Sequence, residues 1–272
     1  MRRRVLIGLS AALWALAPAT GHAQDAALQQ AVQAPDRSAK FAARDGARHP
    51  LQELAFFGVG PSSSVVEIWP GGGYWTEILA PLLHQSGSYR LALAPANGGP
   101  VDALFAKASA PMRDKLAANP SVYGRVTLTE IGMGHDDLAP PNSADFVLTF
   151  RNLHNWMAQG DAPEVLTAIH AALKSGGILG IEEHRGSTAR PQDPKAASGY
   201  VRQDYAVAMI ERAGFKLLAS SEVNANPKDT TDWPRGVWTL PPELKLGEVD
   251  RVKYLAIGEA DNFVLKFQKI DR

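Results

Sequence analysis

Two histidines and a carboxylate hold most of the chemical potential of this chain: His154 in RNLHNW, and Glu183 with His184 in IEEHR. An imidazole exchanges a proton near neutral pH, so either histidine is a candidate catalytic base, and a neighbouring carboxylate can orient it. The competing roles are structural: His154 starting or packing a helix, and Glu183–His184 joined to Arg185 or Arg202 in a surface ion pair. The sequence has no HxxxH or HxH spacing, so no metal site is expected, and no GxSxG turn presents a serine nucleophile. It has no cysteine, which removes disulfides, thiolate metal sites and cysteine nucleophiles.

The second cluster is VVEIWPGGGYWTEILAPLL, in which Glu67 closes an apolar run and Gly71, Gly73 and Thr76 follow. Glycines behind a strand allow a ligand to approach the backbone closely and permit positive φ. A pyrophosphate turn needs GxGxxG/A, and Thr76 stands where the third small residue belongs; a P-loop is excluded because no GK[ST] follows.

The elements that position these residues alternate regularly. SVVEIW, YRLALA, RVTLTEI, ADFVLTF, GILGIEEH and FKLLASSEV read as strands, and NFVLKFQKI as a last, reversed one. Between them YWTEILAPLLHQ, VDALFAKASAPMRDKLAA, APEVLTAIHAALKSG and YVRQDYAVAMIERAG read as helices. This order predicts an α/β fold, a doubly wound and mostly parallel sheet with helices on both faces. In such a sheet a ligand lies beyond the carboxyl ends of the strands, where His154, Glu183, His184 and the glycine turn would meet. The expected divisions are a signal peptide over 1–23, a helical segment over 24–60, a core over 61–223, an irregular lid over 224–258 and a closing strand over 259–272. His49-Pro50 marks a helix boundary, because the residue before proline avoids the helical region.

Of 272 residues 45% are hydrophobic and 21% charged, the composition of a globular domain with one sizeable core. A formal net charge of +0 argues against nucleic acid or an anionic membrane as partner and for a small molecule. At the N-terminus Arg2, Arg3 and Arg4 precede the short apolar run VLIGLSAALWALA, and Gly21–Ala23 offers a cleavage site. The run is shorter than the roughly 20 residues of a membrane span. Cleavage after Ala23 would leave an exported protein, periplasmic or secreted, with no integral span, and the arginine cluster loosely resembles a twin-arginine signal.

Three landmarks in order carry a resemblance to class I S-adenosylmethionine-dependent methyltransferases: Glu67 followed by Gly71 and Gly73; LAPPNSADFVLTFRNLHNW, with Asp145 opening the fourth strand; and ALKSGGILGIEE, with ERAGF beyond it. The stretches RSAKFAARDGARHPLQELAFFGV and DNFVLKFQK resemble a subgroup of exported methyltransferases inferred from sequence, whose turn reads Pro-Gly-Gly-Gly-aromatic, as at Pro70–Trp75. The resemblance implies a Rossmann-like fold, S-adenosylmethionine as cofactor, and methyl transfer to a small molecule or an accessible side chain. It implies cofactor contacts at Glu67, Gly71, Gly73, Thr76, Asn97 and Asp136, and chemistry at His154, Glu183 and His184.

Two departures stand out. Trp69 occupies the place of the first glycine, and Ala94 replaces the acid that holds the ribose, leaving Asn97 as a neutral acceptor weaker by about 1–2 kcal/mol. Both suit a second reading, a ligand-binding module on the same fold. A nicotinamide oxidoreductase is the third, disfavoured by Thr76 and by the Leu173–Gly177 turn.

Overall fold

A computed structural model describes residues 20–271. The proposed signal sequence lies outside the described residues apart from its last four positions. The chain runs α1 (Thr20–Val32), α2 (Ala39–Ala42), α3 (Asp45–Arg48), α4 (Pro50–Phe57), β1 (Ser64–Ile68), α5 (Thr76–Leu83), β2 (Ser88–Leu93) and α6 (Pro100–Ala118). It continues with α7 (Pro120–Tyr123), β3 (Val126–Glu130), β4 (Ala144–Phe150), α8 (Leu153–Gln159), α9 (Ala162–Ala172), β5 (Leu173–His184), α10 (Gln203–Arg212) and β6 (Phe215–Ser221). The short strand β7 (Pro234–Val237), α11 (Arg251–Ile257) and β8 (Asn262–Lys269) complete it.

Seven strands form one sheet in the order β3-β2-β1-β4-β5-β8-β6. All neighbours are parallel except β8, which runs antiparallel to both β5 and β6. This is the expected doubly wound α/β architecture with its reversed last strand. The central strand β1 is buried on both faces, as a strand flanked by helices on both sides must be. Val66, Ile68, Trp156, Ile169, Phe215 and Phe267 belong to one core layer, and Phe57, Ile78, Leu79, Leu91 and Val264 to the other. At Gly180, in mid β5, a Cβ would lie 2.8 Å from the Phe57 ring and 2.7 Å from Leu148, so a side chain is excluded there by close packing of α4 on the sheet.

The boundaries shift where polar and proline residues intervene. His49 takes a left-handed φ of 40° and Pro50 opens α4, as the sequence predicts. The fifth strand begins at Leu173, four residues earlier than expected: the chain leaves the helix at Ala172 and the LKSGG stretch already belongs to β5. The segment between β6 and β8 is long and mostly irregular, but it has a core of its own. Val237, Leu240, Tyr254 and Ala260 pack with Trp233 and Trp238, and Tyr200 joins them from the connection between β5 and α10. The buried Asp229 carboxylate ties this wall together, accepting from Tyr200 Oη at 2.9 Å, Trp233 Nε1 at 2.7 Å and the Asp261 amide at 2.9 Å. Among the described residues no helix is long and apolar enough to cross a membrane.

Candidate active site

A cleft of about 610 Å³, within the range of small-molecule sites, opens at the carboxyl ends of β1, β4 and β5. The irregular wall closes its far side with Val237, Trp238, Leu240 and Pro241–Glu243. Of the residues expected at the site, Glu67, Gly71, His154 and His184 line this cleft. Glu183 lies directly beneath them, wholly buried. Gly73, Thr76, Asn97 and Asp136 do not line it.

Each of these four has a physical reason. A Cβ on Gly73 would fall 2.2 Å from Met112 Cε, so this glycine, at φ 88°, faces the α6 side chain and not ligand space. The open position is Gly71, at φ 56°, where a Cβ would meet nothing within 4 Å. Gly73→Val is therefore expected to lower thermal stability, whereas Gly71→Val fills the cleft and strains the turn; paired melting and ligand-binding measurements separate the two effects. The Thr76 hydroxyl points inward and donates to Glu67 Oε2 at 3.1 Å. Asn97 and Asp136 are exposed.

Glu67 steadies the turn from beneath. It accepts hydrogen bonds from Thr76 and from the Tyr89 hydroxyl, and burial pushes its carboxyl up to about 7 against the pull of those two donors. Trp69 explains why the side of the cleft toward β2 and β3 is shut. At φ 48° it turns its indole inward, where Nε1 donates to the Ile131 carbonyl at 2.8 Å and the ring lies 4.8 Å from that of Phe105. Among the described residues none from 93–99 or 131–137 lines the cleft. Asn152, a residue that sequence reasoning missed, braces this turn by donating to the Ile68 carbonyl at 3.0 Å and to Thr149 Oγ1 at 3.0 Å.

The missed charges are as important. Arg44, Arg48 and Arg151 all line the cleft. Arg44 forks onto Glu259 at 2.6 and 2.7 Å, and Arg151 reaches Glu259 at 3.2 Å. Arg48, almost fully buried, meets Glu182 at 3.3 Å, and its guanidinium lies 4.2 Å from the Tyr74 ring. Burial and the neighbouring Arg151 hold Arg48 down at about 10. Burial and the adjacent Glu182 push the Glu53 carboxyl well up. Three guanidiniums thus face Glu182 and Glu259. Two buried donors beside this group, Arg48 Nε and Trp75 Nε1, have no partner among the described residues.

The strands deliver His154 and His184 as neighbours because β4 and β5 pair in parallel, with Phe150 opposite Glu182. Their ring centroids lie 5.4 Å apart. Glu183 Oε1 contacts His154 Nδ1 at 2.9 Å, while its other oxygen accepts the His154 amide at 3.0 Å. Burial keeps His184 neutral, at about 3. The competing surface ion pair is not formed by Glu183: Arg185 goes to Glu222 and Asp261, and Arg202 to Asp204.

No family model and no curated protein matches the chain. Solved structures do. A SAM-dependent methyltransferase from Aquifex aeolicus is 13% identical, with 90% of this chain and 98% of that one covered at a TM-score of 0.53. The cyclase SpnF is 15% identical, with 87% and 84% covered at a TM-score of 0.52. At such identities the likeness establishes a shared fold, the Rossmann-like fold of class I methyltransferases, and the cyclase shows that this fold hosts more than one chemistry.

Proposed function

We propose that the chain is an S-adenosylmethionine-dependent methyltransferase acting on a small molecule outside the cytoplasm. The observation that carries this reading is the cleft corner where the open Gly71 turn meets three arginines and two unpartnered donors, Arg48 Nε and Trp75 Nε1. That corner suits the carboxylate of an amino-acid end, since guanidiniums line the cleft there and are the donors that bind carboxylates best. Gly71, Arg48 and Trp75 would hold the cofactor, which supplies an electrophilic methyl group. His154 and His184 face the remaining space, where an acceptor would be aligned. Export rests on the N-terminal arginines, apolar run and cleavage site, with the twin-arginine route the one that carries a folded protein.

Trp69 favours a second reading, in which the fold binds a ligand without using this cofactor. The indole fills the side of the cleft toward β2 and β3, where a nucleoside would extend in a doubly wound sheet. Calorimetry with S-adenosylmethionine and its demethylated product decides between them. On the methyltransferase reading the parent binds and Trp69→Gly, by emptying that side, tightens binding at least tenfold. If neither parent nor variant binds, the second reading holds; if the variant binds more weakly than the parent, the indole is a wall of the cofactor site.

A further inference from the structure

We propose that His154 and His184, backed by Glu183, form a binding site for a divalent first-row transition-metal ion in the cleft. The two histidines reach it from the first turn of α8 and the end of β5, 30 positions apart, a spacing that no short sequence motif reveals.

The argument begins with the ring nitrogens. His154 Nδ1 is held by Glu183 Oε1 at 2.9 Å and His184 Nδ1 by Asn262 Oδ1 at 2.7 Å. The Asn262 amide is oriented by its own donation to the Ala260 carbonyl at 3.1 Å, so its oxygen faces the imidazole. An oxygen acceptor on each Nδ1 places the proton there and leaves the Nε2 lone pair free. Neither Nε2 has a hydrogen-bond partner among the described residues, and both rings line the cleft. Imidazoles that ligate metals are held in this way, with the far nitrogen donating to a carboxylate or an amide oxygen.

Glu183 couples the pair. Besides the His154 ring, its Oε1 accepts the His184 amide at 2.8 Å and its Oε2 the His154 amide at 3.0 Å, so one buried carboxylate fixes both backbones. The two rings, with centroids 5.4 Å apart, both line the cleft, each with its Nε2 on the side away from the acceptor that holds Nδ1. A proton relay would use a single imidazole against the acceptor. Here two bare Nε2 atoms border one space, with no hydrogen bond between the rings. Two imidazoles, one backed by a carboxylate and one by an amide oxygen, with open positions for water, suit zinc, iron or cobalt and not magnesium or calcium. The inference stands apart from the methyl-transfer reading, because it needs neither the glycine turn nor the cofactor.

The test uses the purified protein without a polyhistidine tag, stripped with a chelator and titrated with Zn²⁺ by calorimetry and with Co²⁺ by visible absorption. One equivalent is expected to bind, with cobalt bands of a nitrogen- and oxygen-ligated ion. His154→Ala and His184→Ala should each weaken Zn²⁺ binding at least tenfold, and His170→Ala, remote on α9, should leave it unchanged. Should the alanine variants fail to fold, the unmodified protein still decides. Absence of both a zinc isotherm and cobalt bands overturns the proposal, as does binding that survives in folded variants lacking both imidazoles.

Discussion

Glu182→Ala is expected to destabilise the folded chain by about 3–5 kcal/mol, the usual consequence of removing one partner from a buried ion pair. Glu182 is fully buried and serves three groups: Arg48 at 3.3 Å, Arg151 at 3.8 Å and the Asn224 amide at 3.1 Å. The Arg48 guanidinium has no other hydrogen-bonded partner among the described residues, and its Nε is already unsatisfied, so the alanine variant strands a buried cation. At about 2–4 °C per kcal/mol for a domain of this size, the melting temperature should fall by roughly 10 °C. Glu182→Gln keeps an acceptor for Arg48 and should lose less. A loss under about 1 kcal/mol for the alanine variant would mean that water entering from the cleft already solvates Arg48.

Glu67→Gln is expected to remove a pH dependence of stability that the parent shows between about pH 4.5 and 7. Burial raises the folded-state carboxyl to about 7 from an ordinary value near 4.5. Across that window the folded chain holds a proton that the unfolded chain has released, so the parent loses stability as pH rises and the loss is complete above about pH 7. At about 1.4 kcal/mol per unit the difference approaches roughly 3 kcal/mol. Glutamine can still accept from Thr76 and Tyr89 and carries no charge. Urea titrations of both proteins at pH 5, 6, 7 and 8 should show their stabilities diverging upward through this range, with the variant the more stable at pH 8. Parallel curves would mean that Glu67 is ionised throughout, its charge carried by the Tyr89 hydroxyl.

The sheet was legible because its signal is apolar periodicity, which survives in one dimension: β1, β4 and β5 lie where SVVEIW, ADFVLTF and GILGIEEH predict, and β8 is reversed. Strand ends were legible for the same reason, and with them the meeting of His154, Glu183 and His184. What escaped depends on side-chain direction. Thr76 and Gly73 sit in the expected turn, but one hydroxyl turns to Glu67 and one face to Met112. The arginines escaped for a different reason. Arg44, Arg48 and Arg151 come from a short helix region and a strand end over a hundred residues apart, and only the tertiary fold pairs them with Glu182 and Glu259. Trp69 was visible as an anomaly, yet its inward turn follows from a positive φ and from a carbonyl at Ile131, neither of which a residue type announces.

The place of β8 imposes an order on how this protein can be made. The last strand lies between β5 and β6, pairing with residues 178–184 on one side and 215–221 on the other. Ribosomes add about 5–20 residues per second, so β5 and β6 wait several seconds with a gap between them that only residues 262–269 can fill. During that interval two strand edges stand open to other chains, the condition under which nascent proteins most need shielding. His184 is also incomplete until then, because its Nδ1 partner, Asn262, is the first residue of the missing strand. The chemistry of the cleft is thereby coupled to the synthesis of β8: a nascent chain that has not yet reached it has the glycine turn and both histidines but not the strand that sets one of them.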